Sequence, residues 1–154
     1  MKPSSVKVDP AKIEAGAWVD EIPEFDGVRL RVRGFGCKEQ KKLSRSLNDQ
    51  IPRSRKIKGK MSDEDQEAIL NQCLHQVILL DWDGLKNDDD SPMLYDKELA
   101  KLFCTDPAYR IIRDAVIYAA DFVANDKAEA VECAVGNSQP TSDGSSPGVA
   151  ASSI

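Results

Sequence analysis

The chain has 154 residues, of which 41% are hydrophobic and 31% are charged, and its net charge is −5. This size predicts one domain with a modest core. No stretch approaches the ~20 consecutive apolar residues that span a bilayer, and the N-terminus lacks the apolar centre of a signal peptide. We therefore expect a cytoplasmic protein and exclude a membrane-spanning one.

The charge is divided unevenly along the chain. Residues 29–60 contain twelve Lys or Arg and two acidic residues, which gives this basic segment a charge of +10, and the rest of the chain carries −15. Opposed charges of this size can draw two copies together or attract an acidic partner.

The first elements predict a polar arm followed by a β-hairpin. Residues 1–15 are polar with two prolines, which is typical of a mobile arm. A strand-like run at 17–22 leads into a turn at 23–27. In the next run, 28–33, apolar residues alternate with arginines, so the two kinds of side chain lie on opposite faces of a strand. The arginines are Arg29, Arg31 and Arg33.

The next region predicts two helices joined by a basic loop. The first helix runs from Cys37 to Ile51 with a thin apolar stripe. Residues 53–61 are basic and aperiodic, which indicates a flexible loop. The second helix begins at Ser62, whose spacing to Asp65 is typical of an N-terminal cap. We expect its broad apolar face to carry the helix to a point close to Gly84.

Two further helices complete the predicted domain. A short one spans Asp96 to Phe103, and the last begins at Asp106-Pro107, an N-cap followed by a proline at the first helical position. Its pattern permits continuation to Val135. We expect its long apolar stripe to pack mainly within the domain, because a domain of this size needs those residues for its core. The stripe consists of Ile111, Ile112, Ala115, Val116, Ala119, Phe122 and Val123.

These elements define the expected fold class and domain limits. The class is α+β, with an N-terminal β-hairpin followed by about four helices. Residues 1–15 are the arm and residues 16–136 the single domain. Residues 137–154 are rich in Ser, Gly and Pro and bury too little apolar surface to offset ordering, so we predict a disordered C-terminal tail.

No catalytic, cofactor-binding or metal-binding set is recognisable. The four cysteines contain no CxxC pair, which predicts reduced thiols. His75, the sole histidine, lies two positions from Cys73 on the predicted helix, so the two side chains point in different directions. The acidic run from Asp81 to Asp90 fits no calcium-loop register. We therefore predict a protein that is not an enzyme and has no cofactor or metal.

The basic segment is the candidate partner-binding region. Its arginines and lysines could follow the phosphates of a nucleic acid. However, Phe35 is the sole aromatic residue there that could stack on a base, and the acidic chain as a whole opposes that association. A protein partner is therefore preferred, and a small nucleic-acid-binding protein that uses residues 29–60 is the alternative. The candidate binding residues are Arg29, Arg31, Arg33, Arg53, Arg55 and Lys56.

The order of elements from about residue 16 to 125 resembles the tail assembly chaperones of long-tailed bacteriophages. The resemblance starts with a GxWV strand at residues 16–19, an arginine-bearing strand and a basic helix. It continues with an apolar helix that ends in the DWDGL sequence at 81–85. An acidic turn with a proline at 87–92 and two further helices follow.

The resemblance implies a non-enzymatic protein that binds and solubilises the tape-measure protein and helps to recruit the major tail protein during tail assembly. It implies action in the host cytoplasm and absence from the mature virion. The polar C-terminal tail lies where a translational frameshift would extend such a protein, so the chain resembles the shorter, non-frameshifted product. Expected partners are the tape-measure protein and the major tail protein, together with self-association through the opposed charges.

Overall fold

A three-stranded antiparallel sheet with helices packed on one face organises the fold in this computed structural model, which describes residues 1–126. The unit that contains the sheet is Pro10–Asn125. Met1–Asp9 belong to a second unit, in which Pro3–Val6 form a 3-10 turn.

The elements of the sheet-containing unit confirm the α+β class, with a hairpin followed by four helices. The strands are β1 (Ala17–Val19), β2 (Arg29–Val32) and β3 (Leu79–Asp83). The helices are α1 (Pro10–Ala15), α2 (Lys38–Gln50), α3 (Asp63–Cys73), α4 (Lys97–Thr105) and α5 (Arg110–Asn125). A π turn at Leu74–Ile78 follows α3, and 3-10 turns lie at Arg53–Arg55 and Pro107–Tyr109.

The N-terminal region contains a helix that the sequence analysis places within an arm. Pro10 opens α1, as its fixed φ favours the first turn of a helix, and Ile13 packs against the core. The mobility of residues 1–15 and the limits 16–136 and 137–154 stay predictions. Residues 127–154, with the predicted tail and the expected helix end at Val135, lie outside the described residues.

The hairpin has the register and the two-faced pattern that the sequence predicts. β1 and β2 are antiparallel, with Val19 opposite Leu30 and Trp18 opposite Arg31. Leu30 and Val32 are buried, whereas Arg29 and Arg31 are exposed. The alternation thus places the apolar residues in the core and the charges on the outer face.

The third strand corrects the expected end of the second helix. The sequence analysis continues that helix toward Gly84, but α3 passes through the π turn and the chain then pairs with β2 as β3, with Leu30 opposite Trp82. An apolar run of this kind suits a buried strand as well as a helix. Residues 79–83 form a strand because β2 has a free edge with which they can pair, and a two-stranded hairpin alone is marginally stable.

Trp82 lies in the core, as its position before a glycine turn suggests. It is 5% exposed, its ring centroid is 5.0 Å from that of Tyr95 and 5.6 Å from that of Phe103, and its indole N–H donates to the Met93 carbonyl at 2.7 Å. Val116, from α5, belongs to the same core cluster. The sheet, α4 and α5 therefore share one apolar interior, and the indole nitrogen is not left unpaired.

The helix starts follow the predicted capping chemistry. The Ser62 hydroxyl accepts from the Asp65 N–H at 3.1 Å at the start of α3. The Asp106 carboxylate accepts from the Ala108 N–H at 2.9 Å and caps the 3-10 turn Pro107–Tyr109, after which α5 begins. Asp96 caps α4 in the same way. Each cap satisfies a backbone donor that the first turn of a helix leaves free.

Candidate functional site

The outer face of the sheet holds two of the predicted binding residues against acidic partners. The guanidinium of Arg29 lies 4.7 Å from the centre of the Trp18 ring, and its Nη2 is 3.0 Å from Asp83 Oδ2. Arg31 is directly opposite Asp81 in the ladder. The β3 carboxylates therefore reduce the positive potential of this face.

Arg33 serves the fold. Its Nε donates to the Glu14 carbonyl at 2.9 Å, and its Nη1 donates to the Val77 carbonyl at 2.9 Å. The side chain thus connects the end of α1 to the π turn after α3. The sequence pattern assigns Arg33 to the same face as Arg29 and Arg31, but the structure separates its guanidinium from theirs because β2 ends at Val32.

The remaining predicted residues lie before α3, in a segment with defined turns. Arg55 Nη2 is 2.6 Å from Oδ1 of the buried Asp65, and Lys56 Nζ donates to the Asn48 carbonyl at 3.0 Å. Arg53 is exposed. The structure therefore divides the six candidate residues between the sheet and this segment, instead of gathering them into one patch.

A tight turn replaces the flexible loop expected at residues 53–61. Ile57 and Lys60 exchange two backbone hydrogen bonds of 2.9 Å across Lys58 and Gly59, whose φ angles are 51° and 80°. Two positive φ angles are typical of a type I′ turn. Ile57 is 80% exposed at this basic turn. The sequence lacks the usual signal for this turn, because Lys58 stands where Asn or Asp usually precedes the turn glycine.

The acidic turn at residues 87–91 is held by its own side chains. The Asn87 amide donates to the Ser91 hydroxyl at 3.0 Å, and the Asp89 carboxylate accepts from the Ser91 N–H at 3.0 Å. The hydrogen bond from the Ser91 hydroxyl lowers the pKa of Asp89. Within residues 1–126, no three His, Cys, Asp or Glu side chains are grouped as metal ligands.

The described thiols and the histidine are not arranged as a catalytic pair. Cys37, Cys73 and Cys104 are buried. Burial raises the pKa of Cys73 and raises that of Cys104 to about 12, which keeps both as thiols at neutral pH. His75 instead lines a surface cleft between α3 and α4, where burial, and then Lys101, lower its pKa.

The last helix carries an apolar face that does not pack into the core. Ile111, Tyr118 and Phe122 are 54%, 41% and 51% exposed, and their spacing of seven and four places them on one side of α5. The rings of Tyr118 and Phe122 stack at 6.4 Å. The expectation that the stripe packs mainly inside is confirmed by Ile112, Ala115, Val116, Ala119 and Val123. Ile111 and Phe122 are the two stripe residues that stay exposed. The sequence signal for this exposed face was the width of the apolar stripe, which is broader than the side of a helix that a core covers.

A groove runs between this face and the turn after β1. It has a volume of about 420 Å³ and is lined by Ile22, Pro23, Glu24, Arg110, Ile111, Asp114, Ala115 and Tyr118. Ile22 is 2% exposed and anchors the turn. On either side of Ile22, Glu21 and Glu24 adopt φ angles of 53° and 65°, a conformation that L residues seldom take. We name this feature the α5 groove, and the ring of Phe122 stacks on Tyr118 beside it.

The rim of the α5 groove is mainly acidic. Glu24 and Asp114 line the groove, and the same turn and helix carry further exposed acids in Asp20, Glu21, Asp26 and Asp121. Arg110 is the cation among the lining residues, and its Nη1 is 3.8 Å from Asp114 Oδ2. The arrangement combines an apolar floor with negative edges, which suits non-covalent recognition of an apolar, basic segment.

Comparison with protein families relates the chain to a prophage protein family. The model of a family described as YdaY prophage protein matches residues 35–137. Searches of the curated proteins and of the solved structures found no match. Among the helices of residues 1–126, none combines the length and the apolar character that crossing a membrane requires.

Proposed function

The chain belongs to the YdaY prophage protein family and is of phage origin, and on this premise we propose that it is a non-enzymatic tail assembly chaperone. In this function it binds the tape-measure protein, keeps it soluble, and helps to recruit the major tail protein. It acts in the host cytoplasm and leaves before the virion is complete.

The observation that carries the proposal is the exposed apolar face of α5. The domain fills its core with other residues of the same helix, so Ile111, Tyr118 and Phe122 are available to a partner. Contiguous apolar surface with a polar rim is typical of a protein-binding site. A chaperone for a long helical protein needs such a surface, because the client exposes apolar residues until the tail tube surrounds it.

The chemistry of the remaining side chains agrees with a binding role. The buried thiols of Cys73 and Cys104 have raised pKa values, so they are poor nucleophiles. His75 lines a cleft with uncharged amides and Lys101. Burial and Lys101 lower its pKa, and Glu98 opposes that shift.

Co-expression with the tape-measure protein of the same phage tests the proposal. We expect the tape-measure protein to move into the soluble fraction and to co-purify with this chain. A chain with Val116→Asp, which places a charge at a fully buried position, is the control for an unfolded chaperone. A tape-measure protein that stays insoluble beside the wild-type chain would refute the proposed function.

The second candidate function is nucleic-acid binding through the basic segment. The turn at residues 56–60 favours it, because three lysines surround an exposed isoleucine there. Against it, Arg29 and Arg55 are ion-paired within the chain. Binding to a DNA duplex that becomes weaker as salt is added, together with no binding of the tape-measure protein, would favour this alternative.

A further inference from the structure

We infer that the α5 groove is a docking site for one amphipathic helix of a partner protein, with an apolar stripe flanked by basic residues. This inference rests on the proposed function only for the claim that the helix belongs to a tail assembly partner. The chemistry of the partner follows from the groove itself.

The floor of the groove selects for an apolar stripe. Ile111 and Tyr118 lie two helical turns apart along α5, and Pro23 closes the opposite side. A helix laid along such a floor inserts side chains at a spacing of three and four residues. Tyr118 adds a large, rigid contact surface, and tyrosine is frequent among the residues that dominate binding.

The rim selects for basic residues beside that stripe. Glu24 and Asp114 line the floor, and Arg110 already neighbours Asp114. The turn and α5 carry four more exposed acids and add to the negative charge of these two elements. A helix with acidic flanks would meet repulsion on both edges, whereas lysine or arginine would meet attraction. Charge complementarity therefore favours a basic helix over an acidic one.

A second copy of this chain matches the groove less well. Its basic helix, α2, has an apolar stripe of Leu43 and Leu47, and both are already half-buried within their own copy. Docking α2 into another copy would require it to leave its packing against α3. We therefore assign the groove to a helix of another protein. The exposed Ile57 beside Lys56 and Lys58 makes a second copy the competing occupant, which sedimentation tests.

A designed peptide tests the inference on the full chain. The probe is a fluorescent peptide of about 18 residues with leucines on one helical face and lysines on the others, and its counterpart carries glutamates instead of lysines. We expect saturable anisotropy for the basic peptide and at least about tenfold weaker binding of the acidic one. Equal binding of the two peptides, or none of the basic one, would overturn the inference.

Matched variants locate the site. Ile111→Glu should weaken binding of the basic peptide at least about tenfold, whereas Leu94→Glu, at an apolar position 79% exposed outside the groove, should change it less than about twofold. Glu21→Gln/Glu24→Gln should weaken it several-fold and reduce its salt dependence. Equal losses for Ile111→Glu and Leu94→Glu, with both variants folded by circular dichroism, would place the binding elsewhere.

Two results separate this inference from the proposed function. Sedimentation that shows a wild-type dimer, lost on Ile111→Glu, would overturn the inference in favour of a self-interface. Solubilisation of the tape-measure protein by Ile111→Glu at the wild-type level would also overturn it, while leaving the chaperone proposal standing. Peptide binding without solubilisation would support the groove and contradict the chaperone proposal.

Discussion

The basic segment and the outer face of α5 both meet solvent, but the chain uses their side chains differently. In the basic segment, Arg33 holds two backbone carbonyls and Arg55 pairs with a buried carboxylate. On α5, the rings of Tyr118 and Phe122 contact each other, and the core is complete without them. A concentration of charge in sequence therefore says little about availability, because several of these charges stabilise the fold.

Within the basic segment, the largest expected effect is at Arg33. Arg33→Met removes two hydrogen bonds from a charged donor and leaves the Glu14 and Val77 carbonyls without that partner, so we expect the free energy of unfolding to fall by about 3 kcal/mol. Arg31→Met, on the exposed face of β2, should cost less than about 0.5 kcal/mol. Urea denaturation of both variants measures the difference, and equal small losses would remove the structural role given to Arg33.

A smaller loss is expected at Arg55. Arg55→Met leaves the buried Asp65 carboxylate without its ion pair, which should cost about 1–2 kcal/mol, a value reduced because the arginine itself is largely exposed. The matched control is Arg53→Met in the same 3-10 turn, which should change stability by less than about 0.5 kcal/mol. If the two variants unfold at the same urea concentration, the pair with Asp65 contributes nothing measurable.

Exposed lysines should affect association more than folding. The turn at residues 56–60 presents Lys58 and Lys60, and we expect salt-sensitive self-association or protein binding through the basic segment. Lys58→Glu/Lys60→Glu should weaken that association several-fold at low salt and leave the unfolding curve unchanged. Sedimentation across a salt series measures it, and association that is independent of salt would contradict the prediction.

A small change in stability is expected on the exposed face of α5. Phe122→Ala removes an aromatic side chain that is 51% exposed, so we expect a loss below about 0.5 kcal/mol, while Trp82→Ala in the core should cost about 3–5 kcal/mol. Thermal and urea denaturation compare the two variants. A large loss at Phe122 would show that this face belongs to the fold and is not available to a partner.

The sequence predicts elements whose signals are local. The alternation around Leu30 identifies β2, and the capping residues Ser62 and Asp106 locate two helix starts. The strand β3 is missed because its pairing with β2 joins residues about fifty positions apart, which no local pattern contains. The same limit hides the Trp82–Tyr95 contact.

The sequence predicts the candidate site less well than it predicts the fold. Choosing Arg29, Arg31, Arg33, Arg53, Arg55 and Lys56 depends on charge alone, and their partners become visible only when α1, α3 and β3 are in place. The α5 groove needs two distant elements, the turn at Ile22 and the helix at Ile111. Composition shows that these residues are apolar and acidic, but only the fold places them side by side.

The central claim is that this chain solubilises the tape-measure protein through the exposed face of α5. Its most direct test is recovery of the tape-measure protein in the soluble fraction beside three forms of this chain. The account predicts recovery with the wild-type chain and with Leu94→Glu, and loss of recovery with Ile111→Glu although all three forms are folded. Insoluble tape-measure protein beside the wild-type chain, or equal recovery with Ile111→Glu, would contradict it.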